Sequence, residues 1–373
     1  MRRYGIFVFF NEHGKVPQYV EVLLKSIQEV LDKLVIVVNG KIDFNEREKL
    51  SCYSSRIFQR DNVGYDGGAY KDAFTLFLKG EDWLQWDELL LFNDTFYGPF
   101  YHWKEIFAVM DGRSCDFWGL SCHPGGRETL FGGEVISPHV QSYFILIKKR
   151  MFLDLSFNFF WKDIGYPFNY KQAIKQFEIH FSEYFSEKGF SYESWIAVKK
   201  EDMKERMALG MGNMELLIKK WHFPILKRKA CMLQDYIGLK RLFDYISNDT
   251  RYPTEIMKED LQQRCLEGKM EPYNPYQVLR FCEQFENIYL FGMGNYAKNI
   301  EQFLRDNGNT VKGYIVSEKK EEAQEQVYEL DEFSPKPNRG VIVALNYNNF
   351  KEVYPKLKSI IPIEELLLPF YDY

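Results

Sequence analysis

The chain contains no CxxC pair, no Cys/His spacing suited to a metal, and no apolar run near the roughly 20 residues of a membrane span. Its six cysteines (Cys52, Cys115, Cys122, Cys231, Cys265 and Cys282) are scattered through 373 residues, which suits reduced thiols rather than a disulfide framework. Cys115 and Cys122 with His123 come nearest to a metal set, and their spacing is poor. An excess of basic charge is missing too. Lys and Arg number 48 against 53 Asp and Glu, a net charge of −5, so the positive field that nucleic-acid binding needs is absent. Met1-Arg2-Arg3 runs straight into the strand-like Tyr4–Phe10, too short and too polar afterwards for a signal peptide. The expectation is a soluble, cytoplasmic protein able to rest at the inner face of the plasma membrane.

Aromatic residues, by contrast, are plentiful at 17 %. Many must be core, and the remainder suit stacking on bases and sugar rings. The length allows two or three domains with a sizeable core. Residues 4–10, 35–38, the segment around Ile57, 89–92, 116–120 and 142–147 read as strands, the last alternating enough to lie antiparallel. Pro17–Leu34 and Ala69–Leu78 read as helices between them. This alternation predicts an α/β fold with a mostly parallel sheet and helices on both faces. Residues 170–190 and about 225–285 read as helical. Near 286 the pattern restarts with a strand at 287–291, a glycine turn, a helix over 298–306, and strands at 311–316 and 340–345, separated by an acidic stretch over 318–332. The predicted domains are 1–235, a helical linker at 236–285, and a small Rossmann-like α/β domain at 286–373.

Two segments concentrate the chemistry. RDNVGYDGGAY (60–70) is a polar, glycine-rich turn after a strand, and LLLFNDTFYGPF (89–100) is a buried strand that stops at Asn93-Asp94. Ligands of open α/β sheets collect outside the carboxyl ends of the strands. Glycines at 64, 67 and 68 let the backbone approach a ligand closely. Asn62 and Asp66 supply acceptors for a base, a ribose or metal-bound water. Asp94, helped by Asn93 and by substrate phosphates and water, offers a carboxylate for Mg²⁺ or Mn²⁺. Taken separately these are also ordinary turn and cap residues. Together, at successive strand ends, they predict a site for a nucleoside-diphosphate sugar.

The segments FVFFNEHG (7–14), RDNVGYDGGAY (60–70), LLLFNDTFYGP (89–99), DFWGL (116–120), HVQSYFILIKK (139–149), FEIHFSEYFSEKGF (177–190) and FPILKRK (223–229) occur in that order. In this they resemble the rhamnan synthesis F family of bacterial cell-surface polysaccharide assembly, over roughly residues 4–235. The resemblance implies an inverting glycosyltransferase with a GT-A-like fold, moving a sugar such as rhamnose from a nucleotide donor to a glycan or lipid-linked acceptor. It implies that Asp66 contacts the nucleotide or diphosphate, that Asp94 is the metal ligand, and that His139, Gln141 and Ser142 line the acceptor side. Gly67 departs from the pattern, where a bulky aromatic is expected, and this implies a wider pocket.

An inverting transfer needs a base whose pKa is preferably raised by burial. Glu178, on a helix beside Phe177 and Phe181 with His180 near, is the candidate, and His139 is a second catalytic candidate. His222, Lys227 and Arg228 are candidates for stabilising the leaving diphosphate. The same basic and aromatic run, 219–229, also suits docking on anionic lipid, or simply a solvated surface. The GMGNYA turn (292–297) has the shape of a dinucleotide fingerprint, with Gly292, Gly294, Ala297 and Glu318 as its residues. It reads either as a second nucleotide or nucleotide-sugar site, as part of a nicotinamide-dependent enzyme, or as a structural, oligomerising or partner-docking appendage, since some ninety residues provide only one mononucleotide-binding half. The non-enzymatic alternative for the whole chain is a nucleotide-sugar-sensing or assembly protein, suggested by the single carboxylate at Asn93-Asp94 and by Gly67.

Overall fold

The computed structural model describes residues 1–196, 214–231, 236–267, 273, 275–318, 326–333 and 338–369. The chain forms two compact units, Met1–Arg228 and Lys229–Tyr373. The helices between residues 236 and 282 belong to the same unit as the second sheet.

In the first unit, strands β1 (Arg3–Phe10), β2 (Lys33–Asn39), β3 (Arg56–Arg60) and β4 (Glu88–Asn93) are parallel, in the order β3-β2-β1-β4. A short β5 (Phe96–Tyr97) follows β4, and then come β6 (Phe117–His123), the hairpin β7 (Gly126–Glu128) and β8 (Glu134–Ile136), β9 (His139–Val140), β10 (Phe144–Lys148) and β11 (Tyr192–Ile196). β10 inserts antiparallel between β4 and β6, as its alternation predicts. Strand order reverses direction at β1: β2 lies on one side and β4 on the other. The crevice that ligands use in such sheets therefore opens between the carboxyl ends of β1 and β4. At the opposite end, Arg3 is paired with Glu88 at 2.5 Å and Asp111 at 2.7 Å, so those charges belong to the framework.

Helix α1 (Gln18–Ile27) is shorter than the predicted Pro17–Leu34. Val30 and Leu31 are apolar because they pack under the turn into β2. The Leu31 side chain covers Gly5, where a Cβ would approach it to 2.5 Å. Helix α2 spans Phe44–Ser51, and α3 spans Tyr65–Asp72 and continues as a π-helical turn over Ala73–Phe77. α3 thus begins four residues before the predicted Ala69, and Gly67 and Gly68 lie inside it rather than in a loop. Tertiary packing overrides the poor helix propensity of glycine here. A Cβ on Gly68 would stand 2.4 Å from the Val63 carbonyl oxygen, and one on Gly67 would stand 3.0 Å from Phe177 Cβ. The space beside Gly67 is therefore filled by Phe177, and the expected widening of the pocket does not occur. One side of the sheet is covered by an aromatic layer that includes Phe157, Phe160, Trp161, Phe177, Phe181 and Phe185, which accounts for much of the aromatic content.

The second unit carries β13 (Asn287–Phe291), β14 (Val311–Val316), β15 (Val327–Glu329), β16 (Arg339–Val343) and β17 (Leu366–Leu367), all parallel, in the order β15-β14-β13-β16-β17. Strands flank β13 on both sides, so this sheet is more than the single half expected from the sequence. The remaining strand among the described residues, β12 (Leu226–Lys227), pairs antiparallel with β5 in the first unit. Part of the acidic stretch, residues 319–325, lies outside the described residues.

Candidate functional site

β4 is buried along its whole length and ends at Asn93, 2 % exposed, followed at once by Asp94, 6 % exposed. Buried polar groups must find partners. The Asn93 side chain does so three times: its Oδ1 accepts from the Thr95 backbone N–H at 3.1 Å and from the Thr95 hydroxyl at 2.7 Å, shaping the turn. Its Nδ2 donates to Asp66 Oδ2 at 2.6 Å. That bond ties the first turn of α3 to the end of β4 and brings the second carboxylate to the Asp94 end of the strand.

The loop ahead of α3 is held by a separate clamp. Arg60 donates to Asp72 at 2.6 Å, to Asn39 at 2.5 Å and to the Val63 carbonyl at 2.7 Å. Asn39 in turn donates to the Tyr65 carbonyl at 3.3 Å. Gly64 has φ +79° and Tyr65 φ +54°, left-handed geometry that is unusual for a tyrosine and that such a clamp sustains. Asn62 is exposed. It sits across Gly40 from the half-exposed Phe10, at the ends of β2 and β1.

The far wall of the site comes from a second π-helical turn, Ile174–Ile179. Such turns recur at functional sites. Because Gly67 lets Phe177 approach α3, the next residue, Glu178, lies close enough to Asp66 for its charge to act there. Glu178 Oε2 accepts from both the backbone N–H (2.8 Å) and the hydroxyl of Ser142, and Oε1 lies 3.5 Å from His139 Nε2. The start of β10 is joined to the end of β4 by the bond from Asn93 N–H to the Tyr143 carbonyl. His139 is 1 % exposed, and its Nδ1 meets the Ser137 carbonyl at 2.8 Å, so both ring nitrogens face acceptor oxygens. It stacks on His123, whose pKa is lowered by burial and by the His139 charge.

The cations arrive through β12. Its ladder with β5, extended by the bond from Arg228 N–H to the Thr95 carbonyl, lays residues 226–228 alongside 95–97, directly after Asp94. The Lys227 ammonium stands 4.2 Å from the centre of the Tyr143 ring, and the Arg228 guanidinium 4.7 Å from that of Tyr19. The Tyr19 hydroxyl reaches Asp94 Oδ2 at 3.5 Å. His222, by contrast, is exposed beyond the helix Met214–Trp221 and stacks on Tyr101 at 5.0 Å.

These environments separate the two neighbouring carboxylates. Burial pushes Asp66 up to about 6, against the hydrogen bond from Asn93 and with help from the Glu178 charge. Burial also acts upward on Glu178, but the His139 hydrogen bond, the Lys227 and His139 charges and the Ser142 bond together bring it down to about 2. The raised value expected of a general base therefore falls on Asp66 instead of Glu178. Two interacting acids pushed apart in this way are a recurring sign of acid–base division of labour.

Among known proteins, the sequence pattern described as rhamnan synthesis protein F matches residues 34–305, well over half of the chain. The chain belongs to this family. For this rhamnan synthesis F protein the match starts later than the resemblance expected from the sequence and runs through the helical segment into the second unit. It is 31 % identical over 186 residues to the virulence protein VirA of Vibrio anguillarum, covering 48 % of this chain and 52 % of that one. It is 26 % identical over 180 residues to the uncharacterized protein y4gN of Sinorhizobium fredii, covering 48 % and 45 %. The chain thus spans about half the length of the curated relatives it matches. Among solved structures it is similar to a putative nucleotide-diphospho-sugar transferase of Desulfovibrio desulfuricans (TM-score 0.30, 13 % identity, 58 % and 97 % covered). It is also similar to glucosyl-3-phosphoglycerate synthase of Mycobacterium tuberculosis, solved with Mn²⁺ and UDP-glucose (TM-score 0.29, 13 % identity, 60 % and 81 % covered). These likenesses are distant, and the family assignment rests on the sequence match.

In this family member the structure brings together Asp66, Asn93, Asp94, His139, Ser142, Glu178, Lys227 and Arg228. Gln141 stands at their edge, with its Oε1 taken by the Ser121 hydroxyl at 2.6 Å. Among the described residues no group of three or more His, Cys, Asp or Glu gathers as a metal cage. No described helix is long and apolar enough to cross a membrane. Gly292 has φ +103° with the Ala344 carbonyl 3.0 Å from where its Cβ would be, Gly294 precedes the helix Asn295–Asp306, Ala297 is buried, and Glu318 is exposed after β14. Reasoning from sequence missed Tyr19, Tyr70, Tyr143 and the Arg60–Asp72 clamp. Placing the start of α3 at residue 65 would have exposed Tyr70, because residues four apart on a helix share a face.

Proposed function

We propose that this protein is a nucleotide-sugar-dependent glycosyltransferase of cell-surface polysaccharide assembly. The observation that carries the proposal is the pairing of Asp66 with Asn93, which joins two carboxylates at a sheet switch point while β12 lays Lys227 and Arg228 beside them. The donor diphosphate takes the crevice between β1 and β4. Its base lies toward Phe10, Tyr65 and Asn62, where aromatic faces and an amide side chain are exposed. Lys227 and Arg228 supply positive charge to the leaving diphosphate.

Hard oxygen donors suit Mg²⁺ or Mn²⁺, and Asp94 with substrate phosphates and water is a fitting set for either ion. Bound there, such a cation would offset the diphosphate charge. Transfer with inversion proceeds as an acceptor hydroxyl oxygen bonds to C1 of the sugar. The bond from C1 to the phosphate oxygen breaks, and its electron pair leaves with the diphosphate. The hydroxyl proton passes to Asp66, whose pKa near 6 suits the task at neutral pH. Glu178 stays ionised and holds Ser142 and His139 in place on the acceptor side, where the acceptor is a glycan or lipid-linked sugar. Rhamnose is the sugar the family description favours.

The test is sugar transfer from a panel of nucleotide sugars with Mg²⁺ or Mn²⁺, comparing wild type with Asp94→Ala. A loss of at least about 100-fold is expected, in line with removal of a group that stabilises leaving-group charge. A wild-type protein that neither binds nor turns over any nucleotide sugar, or an Asp94→Ala variant with full activity, overturns the reading.

A further inference from the structure

Tyr70 lies one helical turn beyond Asp66 on α3, so the two side chains share a face of that helix. Its residue exposure is 0 %, with Phe177 and Trp161 beside the ring at centroid distances of 5.7 Å and 6.2 Å. Although buried, its hydroxyl makes no hydrogen bond with the described residues. The charges of both Asp66 and Asp94 act on it. A phenol buried without a partner is uncommon, because desolvating the hydroxyl is costly unless something repays it. Other buried tyrosines of this unit do find partners: Tyr143 shares a hydrogen bond with Ser121, and Tyr4 donates to Glu81.

We propose that the Tyr70 hydroxyl is a donor-sugar contact, pairing with a neutral hydroxyl of the sugar to be transferred. The reading rests on the transferase function above and assigns a specificity-determining residue within that site. The choice of ligand chemistry follows from the two carboxylates. An anionic phosphate oxygen would be repelled by Asp66, for which no cation is proposed. A sugar hydroxyl carries a proton as well as lone pairs, so it donates to one of the carboxylates while accepting from Tyr70. The phenol then completes a chain of donor, acceptor and acid that neither partner satisfies alone. A site that hydrogen-bonds a substrate hydroxyl in this way discriminates strongly against analogues lacking it.

The experiment compares the wild-type chain with Tyr70→Phe, which removes one oxygen and keeps the ring packing. Three quantities are measured on each: affinity for the nucleotide sugar that wild type uses, affinity for the matching nucleoside diphosphate, and the thermal midpoint without ligand. The expected result is nucleotide-sugar affinity weaker by about three- to tenfold, the range of one hydrogen bond, with nucleoside-diphosphate affinity within twofold of wild type. The ligand-free midpoint should be unchanged or raised, because no protein hydrogen bond is lost. Equal weakening toward the nucleoside diphosphate would place the hydroxyl on the phosphates and refute the sugar assignment. Unchanged nucleotide-sugar affinity would also refute it, leaving the transferase reading intact. A lowered midpoint would reveal a structural partner for the hydroxyl and overturn the proposal. Wild type failing to bind any nucleotide sugar would sink this inference and the transferase reading together.

Discussion

Asp66→Asn tests the electrostatic reasoning at its most exposed point, because it should stabilise the protein while removing a site residue. The sign follows from linkage. A carboxyl whose pKa rises from the ordinary 3.8 to about 6 on folding binds its proton more tightly in the folded chain. Its favourable contribution is complete below pH 3.8 and is lost as the pH climbs through 6. At about 1.4 kcal/mol per tenfold change in proton affinity, the charged form of Asp66 destabilises the fold by up to about 3 kcal/mol above pH 7. Roughly half of that is already present at pH 5. Asparagine keeps an oxygen to accept from Asn93 and carries no charge. Thermal unfolding of the variant at pH 8 should therefore show a midpoint raised by up to about 10 °C, at the roughly 2–4 °C per kcal/mol of a domain of this size. The gap between variant and wild type should narrow as the pH falls from 8 to 5, and sugar transfer should drop by at least about 100-fold at every pH. A gap independent of pH, or a variant less stable than wild type at pH 8, would refute the account of a buried, strained charge.

Glu178→Gln should do the reverse. Its folded pKa of about 2 lies below the ordinary 4.5, so its contribution is present above pH 4.5 and lost as the pH falls through 2. The variant should be less stable by about 1–3 kcal/mol at pH 7 by chemical denaturation, the cost of weakening charged hydrogen bonds to buried donors. For Gly68→Ala, the added Cβ would meet the Val63 carbonyl oxygen at 2.4 Å, a backbone atom that cannot swing aside. A loss of about 1–3 kcal/mol is expected from such overpacking, and a variant of wild-type stability would show that α3 can move away from its loop.

What the sequence by itself determined is the part written in local patterns. The LLLF run of β4 is apolar throughout because it is buried on both faces, and its abrupt end at Asn93-Asp94 marks a strand terminus wherever the chain folds. The alternating β10 and the parallel order of the first strands were legible for the same reason, as was the family membership carried by the ordered motifs. Tertiary structure decided what lies between segments distant in sequence. Nothing in FEIHFSEYF says that Glu178 will meet His139, Lys227 and Ser142, all distant in sequence, and so lose the proton affinity a base needs. Nothing in DGGAY says that Gly67 will be covered by Phe177, that α3 will begin at Tyr65, or that the charges of both Asp66 and Asp94 will act on Tyr70. A pKa depends on how many waters, charges and donors surround a group, and these are supplied by parts of the chain that meet only once the fold is complete.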